Sequence, residues 1–402
     1  MAATVVVTLS SASTPASAAE QTLQQLATKA QGLKVRGGIV YHSVSLDAEA
    51  LRSALHARLP DAALLGSTSC LGVGTSLGGF STGSVVTGLW LVGDGFRFGV
   101  SAAAKDGSAK AKGTQVAKAA LAAAGIKPGQ TRFAVFHATP GDEEGLLDGA
   151  FSSLDRQTAL VGGTAADNDL SGQWKVWSHE GVFGSGVAVA VCDWPGKIGV
   201  NYQAGYLPTE KRGKVTAARG RTLLAIDGRP AAEVYDQWTG GRIGAELAAG
   251  GNVLGKTTMA PLGLPRGLFG GIEAFVLVHP EKVDVPARSL GLFANVEVGQ
   301  TVALMDSSED ALVHRGANVA RTALVRGGLA PDKLAGALVV FCGGCMLAIQ
   351  KRMPESMDEI SKALPQVPYS AIYSFGEQGC VLPKQVAHGN LMASALLLGK
   401  IA

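Results

Sequence analysis

Charged residues are scarce in this sequence, and their scarcity narrows the class of protein. Asp, Glu, Lys and Arg make up 17% of the 402 residues, whereas hydrophobic residues make up 47%. Disordered chains have the opposite balance, so we expect a compact globular protein. The formal net charge is only +3 and no basic cluster stands out, so no nucleic-acid partner is expected.

Cysteines are also few. The chain has five, an odd number, and they are widely spread. Small secreted proteins held together by disulfides have a much higher density. The pattern favours free thiols in a reducing compartment, and we therefore expect a cytoplasmic protein.

Segments that would direct the chain to a membrane are missing as well. No apolar run reaches the length of a transmembrane helix without charge or Gly, so no membrane partner is expected. A signal peptide needs a positive residue before a long apolar run, and Val5-Val6-Val7 has neither feature. We interpret Thr4 to Leu9 as a first strand instead.

Glycine, in contrast, is abundant and indicates the fold class. The 54 glycines have no collagen-like period and instead punctuate apolar runs, as at strand ends and tight turns. Strand-like runs alternate with helical stripes such as 48–59, which follows Asp47 as a predicted N-cap. The alternation predicts an α/β protein with mixed β-sheets layered by helices. Gly, Pro and charge interrupt the pattern near 201–214, so we predict two domains, 1–205 and 206–402, with a ligand cleft between them.

Two apolar runs near the C-terminus stop at glycines and reactive side chains. Residues 338–341 precede Cys-Gly-Gly-Cys at 342–345, and residues 371–375 precede Gly-Glu-Gln-Gly-Cys at 376–380. Glycine allows a backbone to approach a ligand closely, and Cys, Glu and His can act as nucleophile, acid and base. If the protein is an enzyme, Cys342 is the predicted nucleophile, His388 the base and Glu377 an acid, base or orienting group, for acyl transfer or amide hydrolysis.

The Cys-Gly-Gly-Cys motif admits several interpretations, which the sequence leaves open. It resembles a redox dithiol, although such motifs normally open a helix in a small βαβ unit. It also supplies half of a zinc site, which Cys380 and His388 would complete at a non-standard spacing, but no metal is predicted. Alternatively, Cys342 and Cys345 are buried small residues or thiols that line a ligand site.

Other candidate site residues follow strand ends in both halves. Glu377 is either solvated or lies in a cleft, where it would have a raised pKa or hold a ligand ammonium group. Ligands of open α/β sheets gather at the carboxyl ends of strands. The hydroxyls and backbone N–H groups near residues 66–72 form either an anion site or simply a polar turn. The predicted ligand-binding residues are Ser67, Thr68, Ser69, Cys70, His137, Gly162, Gly163, Thr164, Cys342, Gly343, Cys345, Glu377 and Asn390.

Several weak motifs occur in one order along nearly the whole chain. They are Leu-Gly-Ser-Thr-Ser at 65–69, Val-Gly-Gly-Thr-Ala-Ala-Asp at 161–167 and Ile-Asp-Gly-Arg-Pro-Ala at 226–231, followed by the Cys342 and Glu377 segments. Together they resemble a FIST domain protein, with a FIST N-terminal and a FIST C-terminal domain.

The resemblance implies an intracellular sensory protein for a small, amino-acid-like ligand. Its length leaves no room for an attached output domain, so such a sensor would act through a signalling partner, and F-box relatives imply an adaptor role. Some members look like haem-based nitric-oxide sensors. No cofactor is predicted here, and a haem would need an axial histidine, for which His179 beside Trp174 and Trp177 is the candidate.

One departure from the family pattern bears on the ligand. The family usually has Arg three residues after the cysteine at position 342, whereas this chain has Cys345 there, and the nearest downstream arginine is Arg352. If that arginine normally holds a ligand carboxylate, carboxylate recognition differs in this chain.

Overall fold

The computed structural model of the protein describes residues 3–127 and 129–401. Three segments of the chain repeat one topology: strand, helix, strand, helix, strand, hairpin, strand. We call them unit 1 (4–92), unit 2 (98–192) and unit 3 (198–399). Unit 3 is interrupted by an insertion at 207–306, and the three units without it are called the body.

Unit 1 starts as the sequence predicts. The predicted first strand is β1, and the helix that follows Asp47 is α2, whose Ala50 N–H donates to the Asp47 carboxylate at 2.7 Å. The elements of unit 1 are β1 (Thr4–Ser10), α1 (Pro15–Ala30), β2 (Val35–Ser43), α2 (Ala48–Arg58), β3 (Ala63–Ser69), β4 (Gly72–Thr75), β5 (Gly79–Thr82) and β6 (Val86–Val92).

Unit 2 follows the same order. Its first helix ends at Gly125, which has a left-handed backbone (φ 64°) that glycine adopts without strain. The elements of unit 2 are β7 (Phe98–Ala104), α3 (Ala109–Ala124), β8 (Phe133–Ala138), α4 (Glu143–Ser152), β9 (Ala159–Thr164), β10 (Val176–Ser178), β11 (Gly181–Phe183) and β12 (Gly186–Cys192).

The insertion follows the first strand of unit 3, β13 (Ile198–Ala204), and has its own apolar core. Its elements are β14 (Leu207–Arg219), β15 (Thr222–Ile226), β16 (Arg229–Pro230), α5 (Ala231–Trp238), α6 (Gly244–Ala249), β17 (Gly251–Asn252), α7 (Leu254–Thr257), β18 (Leu262–Phe269), β19 (Ile272–Val278), β20 (Pro280–Asp284), β21 (Ser289–Leu292) and β22 (Thr301–Asp306).

After the insertion, unit 3 resumes with a long helix, α8 (Glu309–Gly327), which connects its first strand, β13, to its second strand. Short 3₁₀ turns at Pro331–Lys333 and Gln350–Arg352 connect its elements. The remaining elements are α8 (Glu309–Gly327), β23 (Leu334–Cys342), α9 (Gly343–Ala348), α10 (Met353–Ala363), β24 (Tyr369–Ser374), β25 (Glu377–Leu382), β26 (Gln385–Gly389) and β27 (Met392–Gly399).

Strand pairing repeats from unit to unit and links the units together. The four main strands of each unit form one sheet, in the orders β1-β6-β2-β3, β7-β12-β8-β9 and β13-β27-β23-β24. In each sheet the second and third strands of the unit are parallel. Each hairpin joins a different unit's sheet, because β4 pairs with β24, β10 pairs with β3 and β25 pairs with β9. The three units therefore hold one another by backbone hydrogen bonds.

The core lies where the three sheets face one another. Their inner faces share one apolar cluster, to which each sheet contributes residues such as Ile39, Val135 and Val340. Helix pairs cover the outer faces: α1 with α2, α3 with α4, and α8 with α10. Among the described residues, no helix is long and apolar enough to cross a membrane.

The predicted fold class, α/β with mixed sheets layered by helices, is confirmed. The predicted division between 1–205 and 206–402 stays a prediction. It falls at the start of the insertion, but backbone pairing crosses it, since β13 pairs with β27 and β4 pairs with β24.

Candidate functional site

A cleft of about 610 Å³ lies between the insertion and the body. Three predicted site residues, Cys70, Cys342 and Asn390, line it. A depression of about 470 Å³ beside β1 has none of the predicted residues in its lining, so we take the cleft as the candidate site. Its other side chains are the apolar Leu170, Leu254, Met259, Phe293, Leu347, Ala348 and Phe375 and the polar Asn168, Asp169, Thr258, His279 and Glu309.

Asn390 is a polar side chain that was predicted to bind a ligand and that lines the cleft. It follows β26, is 3% exposed, and its Oδ1 accepts the backbone N–H of His279 at 3.3 Å. Its buried Nδ2 has no hydrogen-bond partner among the described residues. Buried amides normally have partners, so a donor is available here to a molecule in the cleft.

The end of β3 and the turn that follows it contribute one of four predicted residues to the cleft. The Ser69 hydroxyl donates to Gly72 O at 2.5 Å and accepts the Tyr373 N–H at 3.0 Å. The Ser67 and Thr68 hydroxyls likewise bond to backbone groups. The Thr68 and Ser69 hydroxyls therefore hold the end of β3 to neighbouring segments, the Ser67 hydroxyl bonds within its own strand, and only Cys70 lines the cleft.

Cys342 ends β23 and reaches the cleft with 5% of its surface exposed. The next residue, Gly343, packs so closely that a Cβ there would lie 3.2 Å from Ser374 O and 3.3 Å from the Cys70 Cβ. The missing side chain lets β23 and the Cys70 turn approach each other. Burial, followed by its interaction with Cys345 and the nearby Glu377, raises the pKa of the Cys342 thiol well above its ordinary value.

Cys345 is fully buried and does not line the cleft. Arg315 of α8 donates from Nη1 to its Sγ at 2.9 Å, and the Tyr206 hydroxyl lies 3.4 Å away. That hydroxyl is also 2.8 Å from Thr258 O, so its one proton serves one acceptor at a time. Burial opposes ionisation of Cys345, but its interaction with Cys342 and the positive charge of Arg315 outweigh burial and lower the pKa of the thiol.

Arg315 is a site residue that the sequence analysis missed. It is 1% exposed, its guanidinium lies 5.3 Å from the Phe341 ring centroid, and its Nε and Nη2 have no hydrogen-bond partner among the described residues. A signal was present, because Arg315 lies three residues after Leu312 and four before Val319 on the apolar face of α8.

Glu377 lies inside the body, behind Cys342, rather than in the cleft lining. Its carboxylate accepts the Ser374 hydroxyl at 2.8 Å and the Met392 N–H at 2.8 Å. Burial raises its pKa to about 8, although both hydrogen bonds and the charge of Arg315 oppose that rise. The carboxyl is therefore mostly protonated at neutral pH.

His388 belongs to a separate polar cluster. Its Nδ1 contacts Gln378 Nε2 at 2.8 Å, and its buried Nε2 has no hydrogen-bond partner among the described residues. Glu143 and Glu144 lie within 4.8 Å of it, in an arrangement that could hold a metal ion. However, Arg221 of the insertion pairs with both carboxylates, at 2.5 and 2.8 Å, and supplies the positive charge there.

The described hydrogen bonds do not connect His388 with Cys342. The structure thus brings together Cys342, Cys345 and Glu377 but places the predicted base in the other cluster. Thr164 belongs to that cluster too, because its hydroxyl accepts from Gln378 at 3.0 Å and donates to Glu143 at 3.3 Å. The catalytic assignment of the three residues stays a prediction.

His137, Gly162 and Gly163 lie inside the body. His137 Nδ1 donates to Gly163 O at 2.6 Å, and its Nε2 accepts from the Tyr41 hydroxyl at 3.0 Å. Burial lowers the pKa of His137 to about 4. A Cβ on Gly162 would lie 2.1 Å from the backbone oxygen of Phe136. These residues pack β8 against β9, and none of them lines the cleft.

The candidate residues for a haem do not fit one. His179 is exposed in the turn between β10 and β11 and does not line the cleft. Trp177 is fully buried and donates from Nε1 to His42 at 3.1 Å, while Trp174 packs against Phe375. The cluster is therefore a packing arrangement with an exposed histidine, not an apolar pocket with an axial ligand.

Two family models match the chain in succession. The FIST N domain matches residues 37–229, and the FIST C domain matches residues 231–380. The chain belongs to the FIST family. FIST domains are small-ligand sensory domains that occur in signalling proteins. In this FIST protein, Arg315 of α8 brings a guanidinium to Cys345 from another helix.

Solved structures share only a distant likeness with this FIST protein. A cyanuric acid hydrolase from A. caulinodans has a TM-score of 0.40 at 9% identity, over 99% of this chain and 100% of that chain. Another cyanuric acid hydrolase has a TM-score of 0.36 at 9% identity, with coverage of 99% and 100%. A chorismatase has a TM-score of 0.35 at 10% identity, with coverage of 99% of both chains. No curated protein matches the sequence.

Proposed function

We propose that this FIST protein senses a small, amino-acid-like molecule that binds in the cleft between the insertion and the body. The observation that carries the proposal is Asn390, a cleft residue whose buried Nδ2 has no hydrogen-bond partner in the described part of the chain. A buried amide donor without a partner costs about 1–3 kcal/mol. A carboxylate or carbonyl oxygen of a ligand would remove that cost.

The charges around the cleft favour a ligand that also carries an ammonium group. Asp169 and Glu309 are part of the lining, whereas the described lining contains no lysine or arginine. An amine therefore finds opposite charge, and a carboxylate finds the Asn390 amide rather than a guanidinium. This fits a family member that lacks the usual arginine at Cys345.

The remaining lining supports an apolar side chain on the ligand. Leu254 and Phe293 of the insertion face Leu347 and Phe375 of the body across the cleft. The cleft volume, about 610 Å³, lies within the usual range of small-molecule sites, about 300–1,000 Å³. Ligand contacts on both sides would couple binding to the position of the insertion, and a signalling partner would read that position.

Calorimetry with three matched compounds tests the ligand class. Phenylalanine, phenethylamine and 3-phenylpropionate share a ring and a short chain but differ in their charged groups. We expect phenylalanine to bind tightest, because it satisfies both Asn390 and the acidic side chains, and 3-phenylpropionate to bind weakest. Tightest binding by 3-phenylpropionate, or no binding of any compound to the folded protein, would contradict the proposal.

A pair of isosteric variants tests the role of the unpaired amide. Asn390→Asp keeps the acceptor for His279 but removes the donor, so phenethylamine should now bind more tightly than phenylalanine. Asn168→Asp is the matched control, since it adds the same charge to the cleft at a residue whose Oδ1 already accepts the Leu71 N–H at 2.7 Å. The control should preserve the wild-type order, and equal effects of both variants would contradict a specific role for Asn390.

A cysteine-dependent enzyme is the second candidate, because the Cys342 thiol lies in the cleft. We propose it only as acyl transfer or amide hydrolysis on the same ligand class. Iodoacetamide labelling followed by intact mass tests it: an activated nucleophile reacts at Cys342 faster than free cysteine does at neutral pH. Labelling no faster than that would remove this candidate. The proposed location is cytoplasmic, in keeping with five cysteines that are all free.

A further inference from the structure

The Cys342–Cys345 pair connects the cleft with a buried positive charge. Cys342 lines the cleft, whereas Cys345 is fully buried against Arg315. Each thiol influences the ionisation of the other. Only the outer sulfur can meet a molecule in the cleft, and only the inner sulfur touches the guanidinium. Ligand binding in the cleft, as proposed above, gives no role to Cys345 and Arg315, which lie behind Cys342.

The local fold around the Cys-Gly-Gly-Cys motif resembles that of redox dithiols, which normally open a helix in a βαβ unit. Cys342 is the N-cap of α9 and Cys345 lies in its first turn. The parallel strands β23 and β24 flank this segment, so the motif opens a helix within a βαβ connection. Residues three apart on one helical turn have α-carbons about 5 Å apart, within the range of about 4.4–6.8 Å that a disulfide spans.

Charge balance around Arg315 identifies the sulfur that ionises. A buried guanidinium requires a counter-charge, and the titratable groups near it are Cys345, Tyr206, Cys342 and Glu377. Burial keeps Tyr206 protonated, raises the pKa of Glu377 to about 8, and raises the pKa of Cys342. Cys345, at 2.9 Å from Arg315 Nη1, is then the counter-ion.

We propose that Cys342 and Cys345 form a dithiol centre that is oxidised by a small disulfide entering the cleft. The proton of Cys342 passes to the Cys345 thiolate as the Cys342 sulfur attacks one sulfur of the incoming disulfide. The S–S bond of that molecule breaks, a mixed disulfide forms on Cys342, and one thiolate leaves and takes up the proton from Cys345. The Cys345 thiolate then attacks the Cys342 sulfur and expels the second thiolate. The protein pair loses two electrons, and the small disulfide is reduced to one thiol and one thiolate, which takes a proton from water.

The uncharged 2-hydroxyethyl disulfide is a suitable probe, because its reaction does not depend on the ligand preference proposed above. Reduced protein is exposed to it, quenched with N-ethylmaleimide under denaturing conditions, and analysed by intact mass and peptide mapping. The five free cysteines give five labels before the reaction. We expect three labels afterwards, since the disulfide consumes two thiols, and a Cys342–Cys345 bond in the peptide map.

Single variants separate the steps. Cys345→Ser removes both the base and the second thiol, so it should react more slowly and stop at a stable hydroxyethylthio adduct on Cys342. Cys342→Ser should leave Cys345 unreacted. Cys380→Ser is the control: Cys380 is the least buried of the five cysteines and lies outside the cleft, and this variant should form the disulfide as wild type does. Wild-type protein that retains five labels, or adducts on Cys70 instead of Cys342, would overturn the proposal.

Arg315 would act as a positioning residue, so its test is a pH profile. Arg315→Leu should slow oxidation about tenfold at pH 6.5, and its rate should rise more steeply with pH than that of wild type, because a buried thiol without a neighbouring positive charge ionises only at alkaline pH. Arg315→Lys keeps the charge and should keep the wild-type profile, which also serves if the leucine variant fails to fold. Identical pH profiles for wild type and Arg315→Leu would overturn the role of the guanidinium. None of these outcomes alters the calorimetric test of the cleft.

Discussion

Replacing Glu377 by glutamine should make the protein less sensitive to alkaline pH. The carboxyl is fully buried, with a pKa raised to about 8 from an ordinary value of 4.5, chiefly by burial. Its two oxygens accept from Ser374 and from the Met392 N–H. Glutamine can accept from Met392 and donate to the Ser374 oxygen, so the substitution imitates the protonated carboxyl and preserves the packing.

The size of the effect follows from proton linkage. Below pH 4.5 both folded and unfolded states are protonated, and the contribution of the group to stability is complete. Between pH 4.5 and pH 8 the unfolded state ionises while the folded state does not, so stability falls with rising pH. The pKa rises from 4.5 to about 8, and because one pKa unit corresponds to about 1.36 kcal/mol, the total loss is of order 5 kcal/mol.

Urea unfolding at pH 5, 7 and 9 gives the free energies of unfolding that test this prediction. The free energy of unfolding of Glu377→Gln, relative to wild type, should rise steadily with pH and reach several kcal/mol at pH 9. Glu297→Gln on the surface controls for the loss of a formal charge. A Glu377→Gln difference that stays constant with pH, or that falls as pH rises, would refute the assignment of a protonated buried carboxyl.

Two further predictions concern the packing of the body and its connection to the insertion. Gly162→Ala should destabilise the protein by about 3 kcal/mol, because the new methyl group would lie 2.1 Å from Phe136 O, whereas Gly255→Ala, which faces open space, should be neutral; equal melting temperatures would contradict the close strand contact. Arg221→Met should cost about 3 kcal/mol, because the Glu143 side chain is only 3% exposed and would lose its ion-pair partner. Arg221→Lys should recover part of that loss, and limited proteolysis should cut the methionine variant faster; unchanged proteolysis would show that the ion pair does not hold the insertion.

The sequence predicted those features that depend on neighbouring residues. Apolar runs that end in glycine located the ends of β23 and β24, and with them Cys342 at the cleft and Glu377 behind it. Asn390 was among the predicted ligand-binding residues, although the strand that it follows, β26, was not predicted. The pairing of Asp47 with α2 also follows from a local rule, the preference for an acidic N-cap.

Features that depend on long-range packing were not predicted. Arg315 precedes Cys345 by 30 residues and meets it only because α8 packs behind β23. His388 was expected beside Cys342, yet the β25–β26 hairpin leaves its own unit and pairs with β9, which carries His388 towards Glu143. The three units share a topology but no visible sequence repeat, so the exchange of hairpins had no signal in the sequence.

Binding in the cleft is the central claim, and calorimetry on two tryptophan variants tests it most directly. Gly255 lines the cleft and faces open space, so Gly255→Trp fills the cleft without a backbone clash. Val325→Trp adds the same side chain at a position on α8 that is 81% exposed and outside the cleft. We predict that Val325→Trp binds phenylalanine as wild type does and that Gly255→Trp loses at least about tenfold in affinity, or about 1.4 kcal/mol. Equal affinity of both variants would contradict binding in the cleft.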